Sequence, residues 1–179
     1  MGSSQSYLAI KGKSKQDIWQ ELGLKPCQPS VENSRDISAV FSSKTGWYLM
    51  VDRGWSFVED KDKLAKLSTY AQVLIGAVEE HCNYSMAAGW SNGTNTWMVA
   101  HSLDEGAEHL LVTGNPPPPF NEIRDRIREE RNNTPEDERH DFYFSVPVDL
   151  FKTLTGYCYD GTSDIGDPNE LVGDFLIKA

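Results

Sequence analysis

The sequence predicts one α+β domain over residues 1–179, built on a mostly antiparallel sheet. Its length suits a single domain with a core of its own. Strand-type and helix-type segments are mixed without a regular β–α–β alternation. The clearest local signal is Asn92-Gly93 between two β-type runs, since both residues tolerate the positive φ of a tight type I′ hairpin turn. We expect a central three-stranded meander, with helices packed on one face of the sheet.

The N-terminal segments predict a strand, a helix and a hairpin. Tyr7–Ile10 is a short β-type run. Ser14 then opens a helix in a near match to a capping box, and Gly23 is placed to close it. Lys25–Arg35, with two prolines, is expected to be a loop. The segments that follow are strands at Ile37–Phe41 and Trp47–Val51, a short helix at Asp60–Leu67 and a strand region at Val73–Val78.

The middle of the chain carries the meander. Tyr84–Trp90 and Thr96–His101 flank the Asn-Gly turn, and a second reversal at Asp104–Gly106 leads to His109–Val112. With a tight first turn, residue Tyr84 is expected to lie opposite His101. Three antiparallel strands should therefore run side by side here.

The C-terminal half begins with four consecutive prolines, Pro116–Pro119, which form a stiff extended connector. Phe120, Ile123 and Ile127 then recur at helical spacing within a charged run, which indicates an amphipathic helix. The remaining predictions are a strand at Phe142–Val146, a helix from Pro147 to Gly156, an acidic loop at Asp160–Asp174 and a last strand at Phe175–Ile177.

The charge of the chain is strongly negative. Acidic residues number 27 against 17 basic ones, which gives a net charge of −10 at neutral pH. Nucleic acid and anionic membrane surfaces would be repelled by this charge, whereas a basic protein would be attracted. We therefore expect a basic protein partner, with neither nucleic acid nor membrane as a target.

The cysteines and the N-terminus indicate a reducing compartment. Cys27, Cys82 and Cys158 are far apart and odd in number, so neither a disulfide framework nor a zinc knuckle is predicted. The first ten residues lack the pattern of a signal peptide, and the longest nearly apolar run, Ala71–Val78, is too short to span a bilayer. The expected location is the cytoplasm.

One row of side chains in the meander could bind a metal ion. With a three-residue loop at Asp104–Gly106, His101 would face both Tyr84 and His109, with Cys82 on the same side. Two imidazoles and a thiol suit a transition metal. The alternative, which we favour, is that these groups are hydrogen-bonded at the margin of the core.

No sequence motif nominates a catalytic residue or a cofactor. The chain lacks a G-x-S-x-G nucleophile elbow, a Rossmann glycine fingerprint and a P-loop. The acidic loop resembles a calcium loop only superficially, because Ile165 and Leu171 stand where glycine and glutamate are required. Catalysis is accordingly not predicted, and no cofactor is expected.

Two features are candidates for binding a partner. Trp55 follows Gly54 in an expected loop, where an exposed tryptophan would make a good interface anchor. The acidic loop offers a docking surface for basic residues. The residues predicted to contact a partner are Trp55, Asp160, Asp164, Asp167 and Glu170.

In its size, acidity, α+β character and lack of motifs, the chain resembles the immunity proteins that protect bacteria against toxins. The resemblance implies stoichiometric inhibition, in which an acidic surface studded with aromatic residues occludes the active site of a basic toxin such as a nuclease. Two alternatives remain open. One is a small enzyme or metal-binding protein that uses the His101–His109 row, and the other is an adaptor, a chaperone or a nucleic-acid mimic.

Overall fold

A computed structural model describes residues 3–27, 37–41, 44–162 and 174–179. Within these ranges, five α-helices pack on one nine-stranded antiparallel sheet, so the predicted α+β class is confirmed. The strands are β1 (Ser4–Lys11), β2 (Leu24–Cys27), β3 (Ile37–Phe41), β4 (Tyr48–Asp52), β5 (Gln72–Glu79), β6 (Tyr84–Ser91), β7 (Thr94–Ser102), β8 (Leu111–Gly114) and β9 (Asp174–Lys178). The helices are α1 (Lys15–Leu22), α2 (Ser56–Glu59), α3 (Lys61–Leu67), α4 (Pro119–Asn133) and α5 (Ser145–Thr155). The strand order is β2-β9-β3-β4-β1-β5-β6-β7-β8.

Helices cover both faces of the sheet, which corrects the expectation of a single covered face. On the central strand β1, Tyr7 and Ala9 pack in one core with α4 and α5, whereas Leu8 and Ile10 pack in another with α1, α2 and α3. The reason is visible in β1 and β5, whose buried residues run continuously instead of alternating with polar ones. Such runs are typical of strands that are covered on both sides. None of the described helices is long and apolar enough to cross a bilayer.

The first helix begins and ends where the sequence predicts. The Ser14 hydroxyl accepts a hydrogen bond from the backbone N–H of Asp17 at 3.2 Å, which satisfies one of the unpaired amides of the first turn. Gly23 closes the helix at φ 67°, in the left-handed region that favours glycine. These local signals therefore mark the two ends of α1.

Two segments differ from the sequence-based expectation. Phe142–Val146 is a turn followed by the start of α5, because Phe142 and Val146 bury their side chains against the sheet instead of extending it. The predicted loop Lys25–Arg35 begins as part of β2, which pairs with β9. Its residues from 28 onward lie outside the described ranges. The predicted last strand is confirmed as β9.

The predicted meander is confirmed and forms one end of the sheet, with β8 at the edge. Its turn has φ 50° at Asn92 and φ 77° at Gly93, as a type I′ hairpin requires. The pairing next to this turn follows the tight-hairpin register, with Trp90 opposite Asn95. Beyond Trp90 the register shifts by one residue through a β-bulge, so that Gly89 lies opposite Trp97.

Candidate functional site

Three exposed large hydrophobic side chains lie at the β8 end of the sheet. In the described part of the chain, four large hydrophobic side chains are exposed: Tyr70 at 86%, Leu111 at 44%, Val112 at 40% and Leu103 at 38%. Three of the four lie on β8 or directly after β7. We call Leu103 and strand β8 together the β8 edge. Exposed apolar side chains that cluster in this way mark candidate interaction sites.

The β8 edge exposes apolar side chains on both faces of the sheet. Val112 lies opposite Val99, and Leu111 lies opposite Ala100. Residues directly opposite in an antiparallel pair project from the same face. Val99 belongs to the core under α4 and α5, while Ala100 belongs to the core under α1 to α3. Val112 therefore lies on the face of the sheet that α4 and α5 cover, and Leu111 on the face that α1 to α3 cover. Both side chains are at the edge, beyond the helices.

The backbone of the β8 edge has hydrogen-bonding groups that point away from the sheet. The N–H of Asn115 donates to the carbonyl oxygen of Thr96 at 3.3 Å, which fixes the phase of the ladder. Hydrogen-bonded and non-hydrogen-bonded pairs alternate along antiparallel strands. Leu111 and Thr113 therefore bond to β7, while the N–H and C=O groups of Val112 and Gly114 face outward. A partner strand could pair with these outward groups.

Strand β8 is short because steric contacts at Gly114 fix the position at which it ends. Gly114 has φ 65°, and a Cβ at this position would lie 2.0 Å from the carbonyl oxygen of Thr96, so only glycine fits. After Asn115 come Pro116–Pro119, which cannot donate backbone hydrogen bonds to a ladder. Short edge strands and prolines are common protections against uncontrolled strand pairing.

Exposed carboxylates lie in the two segments next to the β8 edge. The connection between β7 and β8 contains a 3₁₀ turn at Leu103–Glu105, and a second 3₁₀ turn spans Glu136–Glu138 after α4. We call the exposed acidic residues of these two segments the acidic rim. Its members are Asp104, Glu105, Glu108, Glu136, Asp137 and Glu138.

Two polar contacts tie these segments together. The guanidinium of Arg131, near the end of α4, forms an ion pair with Glu108 in the β7–β8 connection. The ring of His101, on β7, bonds to Asp141, which follows the second 3₁₀ turn. The first contact joins α4 to the β7–β8 connection and the second joins β7 to the segment after α4, so each segment that carries the acidic rim is tied to a neighbouring element.

The buried histidine is the centre of this arrangement. His101 is 0% exposed, and its Nδ1 lies 2.7 Å from the carbonyl oxygen of His109. A carbonyl oxygen only accepts, so Nδ1 carries the hydrogen. Its Nε2 lies 2.9 Å from Oδ2 of Asp141, and the His109 ring in turn accepts from the N–H of Ser102 at 3.2 Å. The imidazole thus fixes the β7–β8 connection to the segment after α4.

The predicted metal row does not form, because both registers on which it depends are shifted. Tyr84 pairs with Ser102 instead of His101. The β7–β8 ladder ends at the Ala100–Leu111 pair, so His101 and His109 do not form a cross-strand pair, although their ring centroids lie 6.3 Å apart. Cys82 is exposed in the turn between β5 and β6. Among the described residues, no group of three histidine, cysteine or acidic side chains could hold a metal ion.

A serine, a histidine and an aspartate do meet at this end of the sheet. Ser85 pairs with His101 across β6 and β7, and His101 bonds to Asp141. The Ser85 hydroxyl, however, donates to the carbonyl oxygen of Phe144 at 2.7 Å. With both ring nitrogens of His101 already bonded, no lone pair is directed at the serine. The bonding pattern of this trio is therefore that of a structural clamp and not of a nucleophile with its base.

The residues predicted to contact a partner are only partly described. Trp55 is half-buried, with its indole N–H donating to Ser4 Oγ at 3.1 Å and its ring 5.6 Å from that of Tyr84. Asp160 is exposed and accepts hydrogen bonds from Thr162. Their roles stay predictions. Asp164, Asp167 and Glu170 lie outside the described ranges.

A polar cavity of about 310 Å³ lies near the start of β1, on the face under α5. Its wall includes Gln5, whose amide accepts from the Tyr157 hydroxyl and donates to Ser3. The Tyr159 hydroxyl donates to Glu80 at 2.8 Å, and burial together with this bond raises the pKa of Tyr159 well above its usual range. Tyr159 therefore stays neutral and serves as a hydrogen-bond donor.

Thiol labelling should distinguish two of the cysteines. Burial, followed by a hydrogen bond to Asp160, raises the pKa of Cys158 above its usual value, whereas Cys82 is exposed in a turn. Because the thiolate is the reactive form, iodoacetamide at neutral pH should modify Cys82 at least about tenfold faster than Cys158. Mass spectrometry of peptides from a time course would measure both rates. Equal rates in the folded chain would contradict the burial of Cys158.

A scan against protein families finds no model that matches this chain, and searches of curated proteins and of solved structures find no match either.

Proposed function

We propose that this chain is a non-catalytic binding protein of the immunity type, which acts in the cytoplasm and neutralises a basic protein by occluding its active site. One observation carries the proposal. Three of the four exposed large hydrophobic side chains in the described part of the chain lie at the β8 edge, next to the acidic rim. A surface of this kind offers both contact area and charge to a partner.

The two parts of this surface have different roles in binding. The carboxylates of the acidic rim would attract a basic partner over long distances and so raise the association rate. Leu111 and Val112 would lose water on contact and slow dissociation, since buried apolar anchors dominate the stability of most complexes. Net charge alone would give fast but weak association.

The surface is also held in shape before a partner arrives. The His101–Asp141 bond and the Arg131–Glu108 ion pair fix the segments that carry the acidic rim. A surface that is ordered in the free protein loses less conformational entropy on binding. This pre-organisation supports a protein that inhibits by shape and charge and that makes or breaks no bond.

The first partner to test is the product of the neighbouring reading frame in the genome. We expect the purified chain to form a 1:1 complex with it and to abolish its activity in stoichiometric titration. Raising the salt concentration from about 20 to about 500 mM should slow association at least tenfold, because charge steering is screened. Turnover of a small molecule by the isolated chain, or association that ignores salt, would argue against the proposal.

A matched pair of variants locates the charge effect. The rim variant Glu136→Gln/Asp137→Asn removes two exposed carboxylates beside the β8 edge. The control variant Glu59→Gln/Asp62→Asn removes the same two groups from the other face of the sheet, around α2 and α3. At low salt, stopped-flow association should slow about three- to tenfold for the rim variant and change less than twofold for the control. Equal slowing in both would indicate that only net charge matters.

A further inference from the structure

We propose that the β8 edge binds an extended, basic segment of the partner as an additional antiparallel or parallel strand of the sheet. This inference rests on the proposed function, because it names the surface and the kind of segment through which the inhibitor would act. It follows from the backbone, the side chains and the charge at this one edge.

Within the described strands, β8 is the last in the sheet and pairs with β7 alone. The N–H and C=O groups of Val112 and Gly114 point outward, as the phase set by the Asn115–Thr96 bond requires. An extended peptide that lies alongside would satisfy these groups, which is how peptide-binding domains add a strand to an open edge.

The side chains of β8 fit such a peptide. Leu111 and Val112 project from opposite faces of the sheet and are 44% and 40% exposed. Side chains of an added strand alternate between the same two faces. Apolar residues at neighbouring positions of the peptide would therefore cover Leu111 on one face and Val112 on the other, and burial of this area would favour binding.

Charge selects the occupant of the edge. Lysine or arginine on the added strand would approach the exposed carboxylates of Asp104 and Glu105 in the preceding connection. A second copy of this chain carries the same net charge of −10 and would be repelled at long range. A basic partner segment is therefore preferred over self-association.

The edge also limits the length of the segment. Strand β8 has four residues and ends at Gly114, and the proline run begins two positions later at Pro116. Only a short stretch of the partner can pair in register, so main-chain bonds alone would give weak binding. Specificity would then depend on the lysines or arginines that the stretch carries.

The experiment uses a short blocked peptide in which a pair of neighbouring valines is flanked by lysines, and its control is the same peptide with glutamates in place of the lysines. Hydrogen exchange of the intact chain, followed by NMR, gives the amide rates of Val112 and Gly114. We expect the lysine peptide to slow exchange at both amides at least tenfold at saturation, and the glutamate peptide to leave both unchanged. Binding without protection at these amides, equal protection by the two peptides, or no binding at millimolar peptide in low salt would overturn the inference.

A variant of the chain tests whether the outward N–H of Val112 is needed for peptide binding. Val112→Pro removes an outward N–H and leaves the ladder to β7 intact, and proline is tolerated on a strand edge when its missing N–H faced solvent. Val112→Thr is the matched control, since it keeps the N–H and the β-branch. The dissociation constant for the lysine peptide should rise at least tenfold in the proline variant and less than threefold in the threonine variant. Equal affinities would overturn the inference, and the exchange measurement on the unaltered chain decides the matter if the proline variant does not fold.

The two proposals can fail separately. A partner protein that is neutralised equally well by the unaltered chain and by Val112→Pro would leave the proposed function in place and overturn the strand addition. Conversely, protection of Val112 and Gly114 by the lysine peptide supports strand addition even if no basic protein is neutralised. Protection of these amides in the chain alone, with dimerisation, would assign the edge to a second copy and overturn the inference.

Discussion

Gly76→Ala should destabilise the chain by about 3 kcal/mol or prevent it from folding. Gly76 lies in the middle of β5, directly opposite Tyr7 on β1. A Cβ at this position would lie 2.0 Å from Cε2 of the Tyr7 ring. The ring has no room to move, because it packs edge-on against Phe151 and Tyr157 at centroid distances of 4.7 and 5.2 Å. An added methyl group would therefore force β1 and β5 apart at the centre of the sheet.

Urea unfolding followed by tryptophan fluorescence measures this effect, with Gly54→Ala as the control. A Cβ at Gly54 would meet only the side chain of Asp52, at 3.4 Å or more, in an exposed turn. The control should stay within about 0.5 kcal/mol of the unaltered chain. A Gly76→Ala protein with the same unfolding midpoint as the control would show that Tyr7 does not occupy the space above Gly76.

His101→Ala should reduce the free energy of unfolding by about 3–5 kcal/mol, because it leaves a buried carboxylate without its partner. The Asp141 carboxyl is only 11% exposed, and its Oδ1 has no hydrogen-bond partner among the described residues. Loss of the imidazole would also leave the His109 carbonyl without this bond. The acidic rim should become mobile as a result, and the amides of the β7–β8 connection should exchange faster.

The chain contains its own control for this experiment. His81 bonds to Glu79 at 2.6 Å, a contact as short as that of His101 with Asp141, but the His81 side chain is 66% exposed. Exposed pairs of this kind contribute between zero and about 1 kcal/mol. His81→Ala should therefore leave the urea midpoint nearly unchanged. If the two alanine variants were equally stable, burial of the His101 pair would have no energetic consequence.

Local patterns in the sequence predicted the turn of the meander correctly but not the pairing beyond it. Asn92-Gly93 set a tight hairpin, and the pairs next to it follow that register. The shift begins at Gly89, where a Cβ would lie 2.1 Å from Nε1 of Trp97. An isolated glycine in a strand often marks a bulge or a close approach, so Gly89 was the available signal. This shift of one residue places Ser102 instead of His101 opposite Tyr84, so the expected pairing of Tyr84 with His101 is absent.

The candidate site could be predicted only in part, because its contacts join distant positions. The excess of carboxylates was evident from composition, but the bond between His101 and Asp141 spans 40 positions. No local periodicity reports such a pair. The exposure of Leu111 and Val112 likewise depends on β8 being the edge strand, which follows from the strand order and not from the residues themselves. The continuous apolar run Tyr7–Ile10 was the signal in the sequence that helices cover both faces of the sheet.

The position of β9 has a consequence for how the chain folds. Strand β9 lies between β2 and β3, and within the described strands β2 pairs with β9 alone. Leu24 therefore acquires its partner, Lys178, only after almost the whole chain is available. Closing so large a loop is entropically demanding, and topologies rich in distant pairings acquire their native structure slowly. This side of the sheet should be the last to assemble, well after the β6–β7 hairpin at the opposite side.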